Sequence, residues 1–254
     1  MDSQDMLQRL YGQLIVSCQA RPDSPLHGWV FMAAMARAAE QAGAGGIRAD
    51  GPEDIRAIRA VTTLPIVGIY KRRDLDPEVY ITPRFEEARA VREAGADVIA
   101  LDGTARPRPG GQTLPELIRR IHDELPGTLV MADISTLEEG LAAEAAGADI
   151  VCTTLSGYTP WSRRQEGPDL DLVSELVRAV RVPVIAEGRY WHPEEAAEAL
   201  RRGAHSVVVG TAITNPRAIA RRFVVAMQQA AKSLRESASD IQGGRHAFEN
   251  CSTG

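Results

Sequence analysis

Residues 65–72 read Pro-Ile-Val-Gly-Ile-Tyr-Lys-Arg, and the interpretation of the whole chain starts from this stretch. Its apolar residues predict a buried strand that ends on Lys71, with Arg72 and Arg73 directly after it. Partial burial and neighbouring cations both favour the neutral amine of a lysine, which can then act as a base. A solvated basic turn has the same sequence, so this stretch alone leaves both interpretations open.

Similar apolar, β-branched runs recur along the chain at intervals of about 25 residues. The segments between them are rich in Ala, Glu and Arg and have helical spacing. Eight strands are predicted: Gln13–Gln19, Gly46–Ala49, Ile66–Lys71, Val98–Asp102, Leu129–Asp133, Ile150–Thr154, Val184–Glu187 and Ser206–Gly210.

The residues that precede these strands alternate in type. A glycine ends the preceding helix by its left-handed conformation, whereas a proline ends it because it cannot continue the helix. Strict alternation is typical of a duplicated pair of strand–helix units. The glycines are in Ala42–Gly45 and at Gly95, Gly147 and Gly203, and the prolines are Pro65, Pro126 and Pro183.

The repeat indicates an α/β protein, a single (β/α)8 TIM barrel, because nearly continuous apolar strands alternate with helices within one domain's length. An open doubly wound sheet is the alternative. The first strand carries no glycine-rich dinucleotide fingerprint, which counts against a nicotinamide enzyme. We expect the catalytic barrel over residues 1–232. From Ser233 the sequence is polar and aperiodic, so we expect residues 233–254 to be a mobile tail.

The composition of the chain limits its partners and its compartment. The 254 residues are 44% hydrophobic and 25% charged, with a net charge of −5, which predicts no nucleic-acid or anionic-membrane surface. No apolar run approaches the ~20 residues of a membrane span. Cys18, Cys152 and Cys251 lack paired spacing, and the N-terminus lacks the apolar core of a signal peptide, so a cytoplasmic location is expected. The histidines form no ligand-spaced pair, and we expect no metal.

The carboxyl ends of the strands meet at one mouth of such a barrel, where active sites form. Nearly every predicted strand ends there on a polar or charged residue. Such charges cost free energy unless they pair with each other or with a ligand, so we predict a functional site at this mouth. Asp102 and Asp133 also suit structural roles, whereas Asp97 and Asp149 precede their strands at the opposite end and are expected to be structural.

Two glycine-containing loops follow the last two strands, at Gly188 and Gly210. A helix start at 214–216 comes next, and this order is the recurring phosphate site of the fold. The glycines also suit ordinary turns. The loop after the sixth strand carries Tyr158 and Trp161, which suit either stacking on a sugar or packing within the loop.

Taken together, the strand ends resemble one known family, the N-acetylmannosamine-6-phosphate 2-epimerases, over about Leu14 to Arg222. The motifs that carry the resemblance are Ser17–Ala20, Gly46–Ala49, Ile69–Arg72, Ile81–Pro83, Ala132–Ser135, Thr154–Thr159 and Ala186–Arg189.

The resemblance implies a barrel enzyme that interconverts N-acetylmannosamine 6-phosphate and N-acetylglucosamine 6-phosphate without a cofactor, in sialic acid and aminosugar catabolism. It assigns catalysis to Lys71 and Glu187, with their individual proton-transfer roles left open. Its other implied residues are Gln19, Arg48, Asp133 and Tyr158 for the sugar, and Gly188, Arg189, Gly210 and Thr211 for the phosphate.

One position departs from the family pattern, because Asn215 stands where the family usually has arginine. Loss of this arginine contact would weaken phosphate binding by roughly 1.5–3 kcal/mol, the contribution of a charge-assisted hydrogen bond, unless another arginine compensates. Two rivals stay open at this point: another barrel enzyme of small phosphates, similar to ribulose-phosphate epimerases or thiazole synthases, and a non-catalytic sugar-phosphate sensor. The apolar stripe of the last helix, which includes Phe223, Val224 and Met227, suits packing on the barrel or a homodimer.

Overall fold

The computed structural model describes residues 3–76 and 78–249, in which eight strands alternate with helices. The strands are β1 (Leu14–Cys18), β2 (Gly46–Asp50), β3 (Ile66–Ile69), β4 (Val98–Asp102), β5 (Leu129–Asp133), β6 (Ile150–Cys152), β7 (Val184–Glu187) and β8 (Ser206–Val209). The helices are α1 (Ser3–Leu10), α2 (Trp29–Gln41), α3 (Pro52–Arg59), α4 (Phe85–Glu93), α5 (Leu114–Glu124), α6 (Leu137–Ala145), α7 (Leu170–Ala179), α8 (Pro193–Arg201), α9 (Thr211–Thr214) and α10 (Pro216–Glu249).

Each strand pairs in parallel with the next, and β8 pairs with β1 through Leu14–Val207, Ile15–Val208 and Val16–Val209. The sheet is therefore closed and leaves no edge strand unpaired. The predicted (β/α)8 barrel is confirmed, and the open doubly wound sheet is excluded.

Four of the helices end as the alternation predicts. Positive φ angles are costly for residues with a Cβ atom and are readily adopted by glycine. The glycines that follow α2, α4, α6 and α8 are Gly43, Gly95, Gly147 and Gly203, with φ of 90°, 110°, 95° and 98°.

Alternation along the strands brings charged groups to the mouth. In β5, Leu129 and Met131 belong to the apolar cluster inside the barrel, and Asp133 is the next residue of the same face. Each fully buried aliphatic side chain in that cluster contributes roughly 1.5–3 kcal/mol to folding. Side chains alternate in the same way along the other strands, so their polar end residues also lie at the mouth, above this apolar layer.

Two strands, β3 and β6, end two residues earlier than the sequence predicted, whereas β1 and β8 end one residue earlier. The backbone after Ile69 leaves the sheet, because Tyr70 O accepts a hydrogen bond from Thr82 N at 3.0 Å and Lys71 forms an antiparallel bridge with Ile81. A 3-10 helical turn, Thr153–Leu155, replaces the predicted end of β6. Lys71 and Thr154 therefore lie just beyond their strands, at the mouth.

The chain divides into two compact units, Met1–Thr214 and Asn215–Gly254. In the second unit Asn215 Oδ1 accepts a hydrogen bond from Ala218 N at 3.0 Å, which caps α10 as the predicted helix start requires. Helical backbone continues past Ser233 in the stretch described above as polar and aperiodic, because Leu, Arg, Glu, Ala and Gln, which favour helix, make up half of residues 234–249. Residues 250–254 lie outside the described residues, and the domain division at residue 232 and the mobile tail stay predictions.

None of the helices in the described ranges combines the length and the apolar character that a membrane crossing requires.

Candidate active site

The guanidinium of Arg48 is at the centre of the mouth and is 1% exposed. Its Nη1 and Nη2 atoms donate to Oδ1 and Oδ2 of Asp133 at 3.0 and 2.5 Å. Nη1 also donates to Oε2 of Glu187 at 2.7 Å. Bidentate pairing fixes the plane of the guanidinium, so Arg48 holds the carboxylates of β5 and β7 in one buried cluster.

Two carboxyl groups share this one cation, which leaves the cluster with an excess of negative charge if both are ionised. Burial raises the pKa of Glu187, while the charge of Arg48 lowers it and that of Asp133 raises it. Glu187 therefore holds a proton more readily than an ordinary glutamate does. Within the described residues no hydrogen bond reaches its Oε1 atom, so that oxygen is available to a substrate.

Two consecutive threonines after β6 hold Glu187 in place. Thr153 Oγ1 accepts from the backbone N–H of Glu187 at 2.9 Å and donates to its carbonyl oxygen at 3.0 Å. Thr154 Oγ1 lies 3.0 Å from Glu187 Oε2 and 2.6 Å from Asp133 Oδ1. The backbone and the carboxyl group of Glu187 are thus each bound by one hydroxyl.

Lys71 is on another side of the mouth, with 32% of its side chain exposed. Its backbone N–H donates to Asp50 Oδ1 at 2.9 Å, and its Nζ atom lies 3.7 Å from Asp50 Oδ2. Enclosure by protein lowers the pKa of Lys71, while the charge of Asp50 raises it and that of Arg48 lowers it. The neutral amine is therefore easier to reach than in a free lysine, which favours the first of the two interpretations that the sequence left open for Lys71.

The side-chain amide of Gln19 is oriented towards Lys71. Gln19 Nε2 donates to Ser17 Oγ at 2.8 Å, which leaves its Oε1 atom to accept a hydrogen bond from Lys71 Nζ. The amide thereby aims the amine at the mouth.

The expected phosphate end lies after β7 and β8. Gly188 has φ of 111° and Arg189 has φ of 61°, so the chain turns sharply at this point. Gly210 approaches β1 closely, since a Cβ atom there would lie 3.2 Å from Ser17 Cβ. Thr211 begins the short helix α9.

Arg189 also binds the loop between β6 and α7. Its Nε atom donates to Gly167 O at 2.8 Å, and its Nη1 atom donates to Ser156 O. The guanidinium lies 5.6 Å from the ring centroid of Tyr158, which is 62% exposed. Trp161 ties the loop to α6, because its Nε1 atom donates to Glu139 Oε1 at 3.0 Å. This bond favours a packing role for Trp161, and both aromatic side chains keep an exposed face.

Asp133, Glu187 and the thiol of Cys152 have atoms within 4.8 Å of one another. Arg48 already occupies the carboxylate oxygens and would repel a second cation, so we assign no metal to this cluster. Burial raises the pKa of Cys152, which keeps its thiol neutral.

Five of the predicted residues thus meet at one mouth. Lys71 contacts Gln19, and Arg48 binds Asp133 and Glu187, with Lys71 and Glu187 acting on each other's pKa through their charges. Of the two roles left open for Asp133, this geometry favours the site. Reasoning from the sequence gave no role to Asp50, Ser17, Thr153 and Thr154, although each is at or next to a predicted strand end.

Asp102 is absent from this network. Its carboxylate binds Thr104 and Arg106, with Oδ2 2.7 Å from Arg106 Nη2, and so it holds the loop after β4. Of the two roles left open for it, the structure favours the structural one.

Comparison with known proteins points to the same family that the residues at the strand ends resemble. Residues 32–229 match the model of a family described as "Putative N-acetylmannosamine-6-phosphate epimerase". A relative from Caldanaerobacter subterraneus, named "Putative N-acetylmannosamine-6-phosphate 2-epimerase", is 53% identical over 225 residues, which is 89% of this chain and 95% of the relative. A relative of the same name from Synechococcus elongatus is 50% identical over 89% of this chain and 98% of its own.

A solved structure of the N-acetylmannosamine-6-phosphate 2-epimerase from Clostridium perfringens superposes with a TM-score of 0.84 at 51% identity, covering 87% of this chain and 96% of that one. A thiamine phosphate pyrophosphorylase from Pyrococcus furiosus superposes with a TM-score of 0.56 at 22% identity, covering 82% and 89% of the two chains, and so shares the fold alone. These matches decide against the rival barrel enzymes and the non-catalytic sensor. The chain therefore belongs to the N-acetylmannosamine-6-phosphate 2-epimerase family and is an enzyme.

Proposed function

We propose that this enzyme interconverts N-acetylmannosamine 6-phosphate and N-acetylglucosamine 6-phosphate by moving a proton at carbon 2. One observation carries the proposal: an amine of lowered pKa, Lys71, and a carboxyl group of raised pKa, Glu187, share one barrel mouth. Such pairs of oppositely shifted groups are typical of general acid–base sites. The substrate comes from the names of the relatives.

Inversion at carbon 2 requires the open-chain aldehyde, whose carbonyl group makes the adjacent proton acidic. In the proposed mechanism neutral Lys71 removes this proton, and Gln19 keeps the amine aimed at carbon 2. The lowered pKa of Lys71 supports this role because the base must be neutral before it reacts.

Glu187 is the proposed partner acid. Its Oε2 atom is held by Arg48 at 2.7 Å, so Oε1 is the oxygen that exchanges a proton with the substrate on the opposite face. Arg48 places a positive charge beside the enolate that forms, and Asp133 fixes the orientation of Arg48. The charge of Arg48 thus both positions Glu187 and favours the intermediate.

The phosphate is proposed to bind the backbone at Gly188, Arg189, Gly210 and Thr211, and Tyr158 is proposed to contact the sugar. The absence of side chains at the two glycines supports the first assignment, and the exposed ring of Tyr158 supports the second. Binding energy at the phosphate would help to position carbon 2.

Exchange with solvent tests the chemistry. The enzyme is incubated with N-acetylmannosamine 6-phosphate in deuterated water, and deuterium at carbon 2 is followed by proton NMR. We expect the wild type to incorporate deuterium and Lys71→Ala to lose the exchange. Arg120→Ala is the control, because Arg120 is a partly exposed cation on α5 that pairs with Glu124 at 2.6 Å and does not act on Lys71. Undiminished exchange in Lys71→Ala would remove Lys71 from the proton transfer.

The wider setting of the enzyme is also proposed rather than derived from geometry. The activity suits sialic acid and aminosugar catabolism, and the small number of cysteines, which lack paired spacing in the sequence, supports a reducing cytoplasm. The apolar residues Phe223, Val224 and Met227 on α10 support a homodimer. Sedimentation of the full chain over a range of concentrations tests the dimer.

A further inference from the structure

The hydroxyl group of Thr154 lies between two carboxyl groups. Its Oγ1 atom is 2.6 Å from Asp133 Oδ1 and 3.0 Å from Glu187 Oε2, both within hydrogen-bond distance. Cys152 Sγ, at 3.2 Å, is a third and weaker acceptor. A hydroxyl has one proton and rotates freely about its C–O bond, so Thr154 can donate fully to one carboxyl group at a time.

The two carboxyl groups differ in what else binds them. Both oxygens of Asp133 accept from Arg48, so Asp133 keeps a charged donor whichever way the hydroxyl of Thr154 points. Glu187 has Arg48 on Oε2 and no hydrogen bond on Oε1 within the described residues. An ionised Glu187 therefore depends on the hydroxyl more than Asp133 does.

We propose that Thr154 is a positioning residue whose hydroxyl turns between the two carboxyl groups, donating to Glu187 when it is ionised and to Asp133 when Glu187 is protonated. The proton that Glu187 exchanges with the substrate stays on Oε1, and the hydroxyl proton of Thr154 is never transferred. The inference rests on the proposed function in one respect: it takes Glu187 to change its protonation state during turnover.

Several other groups act on Glu187 from the surrounding strands. The charge of Arg48 on β2 favours the ionised form, as does that of Lys71 after β3, while the charge of Asp133 on β5 favours the protonated form. The neutral thiol of Cys152 lies 3.6 Å from Oε2. Arg48 Nη1 also donates to Thr154 Oγ1 at 3.4 Å, so a Thr154 variant removes this longer contact together with the hydrogen bonds that the hydroxyl donates.

The test is a titration of ligand-free enzyme labelled with ¹³C at the glutamate carboxyl carbons, with the Glu187 resonance assigned by its loss in Glu187→Gln. Thr154→Val removes the hydroxyl and keeps the shape of the side chain, whereas Thr154→Ser restores the hydroxyl. A hydrogen bond donated by Thr154 favours the ionised form of Glu187. We therefore expect the titration midpoint of the Glu187 carboxyl group to rise by about one pH unit or more in Thr154→Val. In Thr154→Ser we expect this midpoint to return to the wild-type value.

Turnover gives a second measurement. We expect kcat of Thr154→Val to fall about tenfold with KM little changed, since the hydroxyl acts on protonation rather than on substrate binding, and Thr154→Ser to recover most of kcat. Circular dichroism checks the fold, and if Thr154→Val does not fold, Thr154→Ala compared with Thr154→Ser gives the same test. Equal Glu187 midpoints in folded variants with and without the hydroxyl would overturn the proposal.

The two proposals fail separately. Undiminished deuterium exchange in Lys71→Ala would refute the proton-transfer role of Lys71, and the dependence of the Glu187 midpoint on Thr154 would still be measurable without substrate. Equal midpoints combined with lost exchange in Lys71→Ala would leave the epimerase chemistry in place and remove the role of Thr154.

Discussion

The two ends of the barrel use the same residue types in opposite ways. At the amino-terminal end, Asp97 Oδ2 accepts from Arg59 Nη2 at 2.6 Å and from the backbone N–H of Ile66 at 2.9 Å. Asp149 Oδ2 similarly binds His122 Nε2 at 2.9 Å and accepts from Val130 N at 2.8 Å. Each aspartate links the start of a strand to a neighbouring helix, which is the structural role that we predicted for these two residues.

At the mouth, Arg48 and Asp133 are 1% and 0% exposed, whereas Arg59 and Asp97 are 31% and 23% exposed. The pair at the amino-terminal end is matched in charge, while the cluster at the mouth sets one guanidinium against two carboxyl groups. Ion pairs of similar length thus have different uses. A balanced, partly hydrated pair stabilises the fold, and a buried, unbalanced cluster shifts pKa values.

Glu187→Gln should show the largest difference between the two ends of the barrel. The amide keeps the shape and an acceptor oxygen for Arg48, but it cannot donate an acidic proton, so we expect kcat to fall about 10²–10⁴-fold. An epimerase assay coupled to the consumption of N-acetylglucosamine 6-phosphate measures it, with Asp97→Asn as the carboxyl-to-amide control at the other end. Activity within a factor of about ten of the wild type would contradict a role for Glu187 in proton transfer.

Arg48→Met compared with Arg59→Met should come next. Removal of Arg48 leaves two buried carboxyl groups without their cation, and we expect the free energy of unfolding to fall by about 3–5 kcal/mol. Arg59→Met removes a partly exposed partner and should cost about 1–2 kcal/mol. Urea unfolding at pH 7 measures both values, and equal losses in the two variants would show that burial does not distinguish the two ends.

The pH dependence of stability tests the same difference between the two ends of the barrel. Because the folded-state pKa of Glu187 is raised, its contribution to stability is fully present below its unfolded pKa, about 4.3, and is lost as pH rises through the folded-state value. We therefore expect Glu187→Gln to gain stability relative to the wild type as pH increases from about 4. Urea midpoints measured across this range test the sign, and a difference that does not change with pH would contradict it.

Asp97→Asn should have the smallest effect. Asparagine still accepts from the backbone N–H of Ile66 and loses only the ionic part of its contact with Arg59, so we expect a loss of about 0.5–1 kcal/mol. Epimerase activity should be unchanged. A large loss of activity with intact stability would mean that the two ends of the barrel are coupled.

The eight-strand repeat and the residue types at the strand ends can be recognised in the sequence alone. Apolar, β-branched runs and the glycine or proline before strands two to eight are local properties, so the barrel and the position of Lys71, Arg48, Asp133 and Glu187 at strand ends could be predicted from them. The roles of these four residues were implied by the family resemblance. Helix-forming residues beyond Ser233 are also visible in the local sequence, although we described this stretch as polar and aperiodic.

The contacts between those side chains depend on the tertiary structure. Closure of the barrel brings β2, β5 and β7 to one mouth, where the guanidinium of Arg48 binds two carboxyl groups that are 85 and 139 residues away in sequence. Thr154 acquires its place between the same two groups because a 3-10 turn ends β6 early. Burial and distance set these pKa shifts, and neither is encoded in a local pattern, because both arise when distant parts of the chain exclude water together.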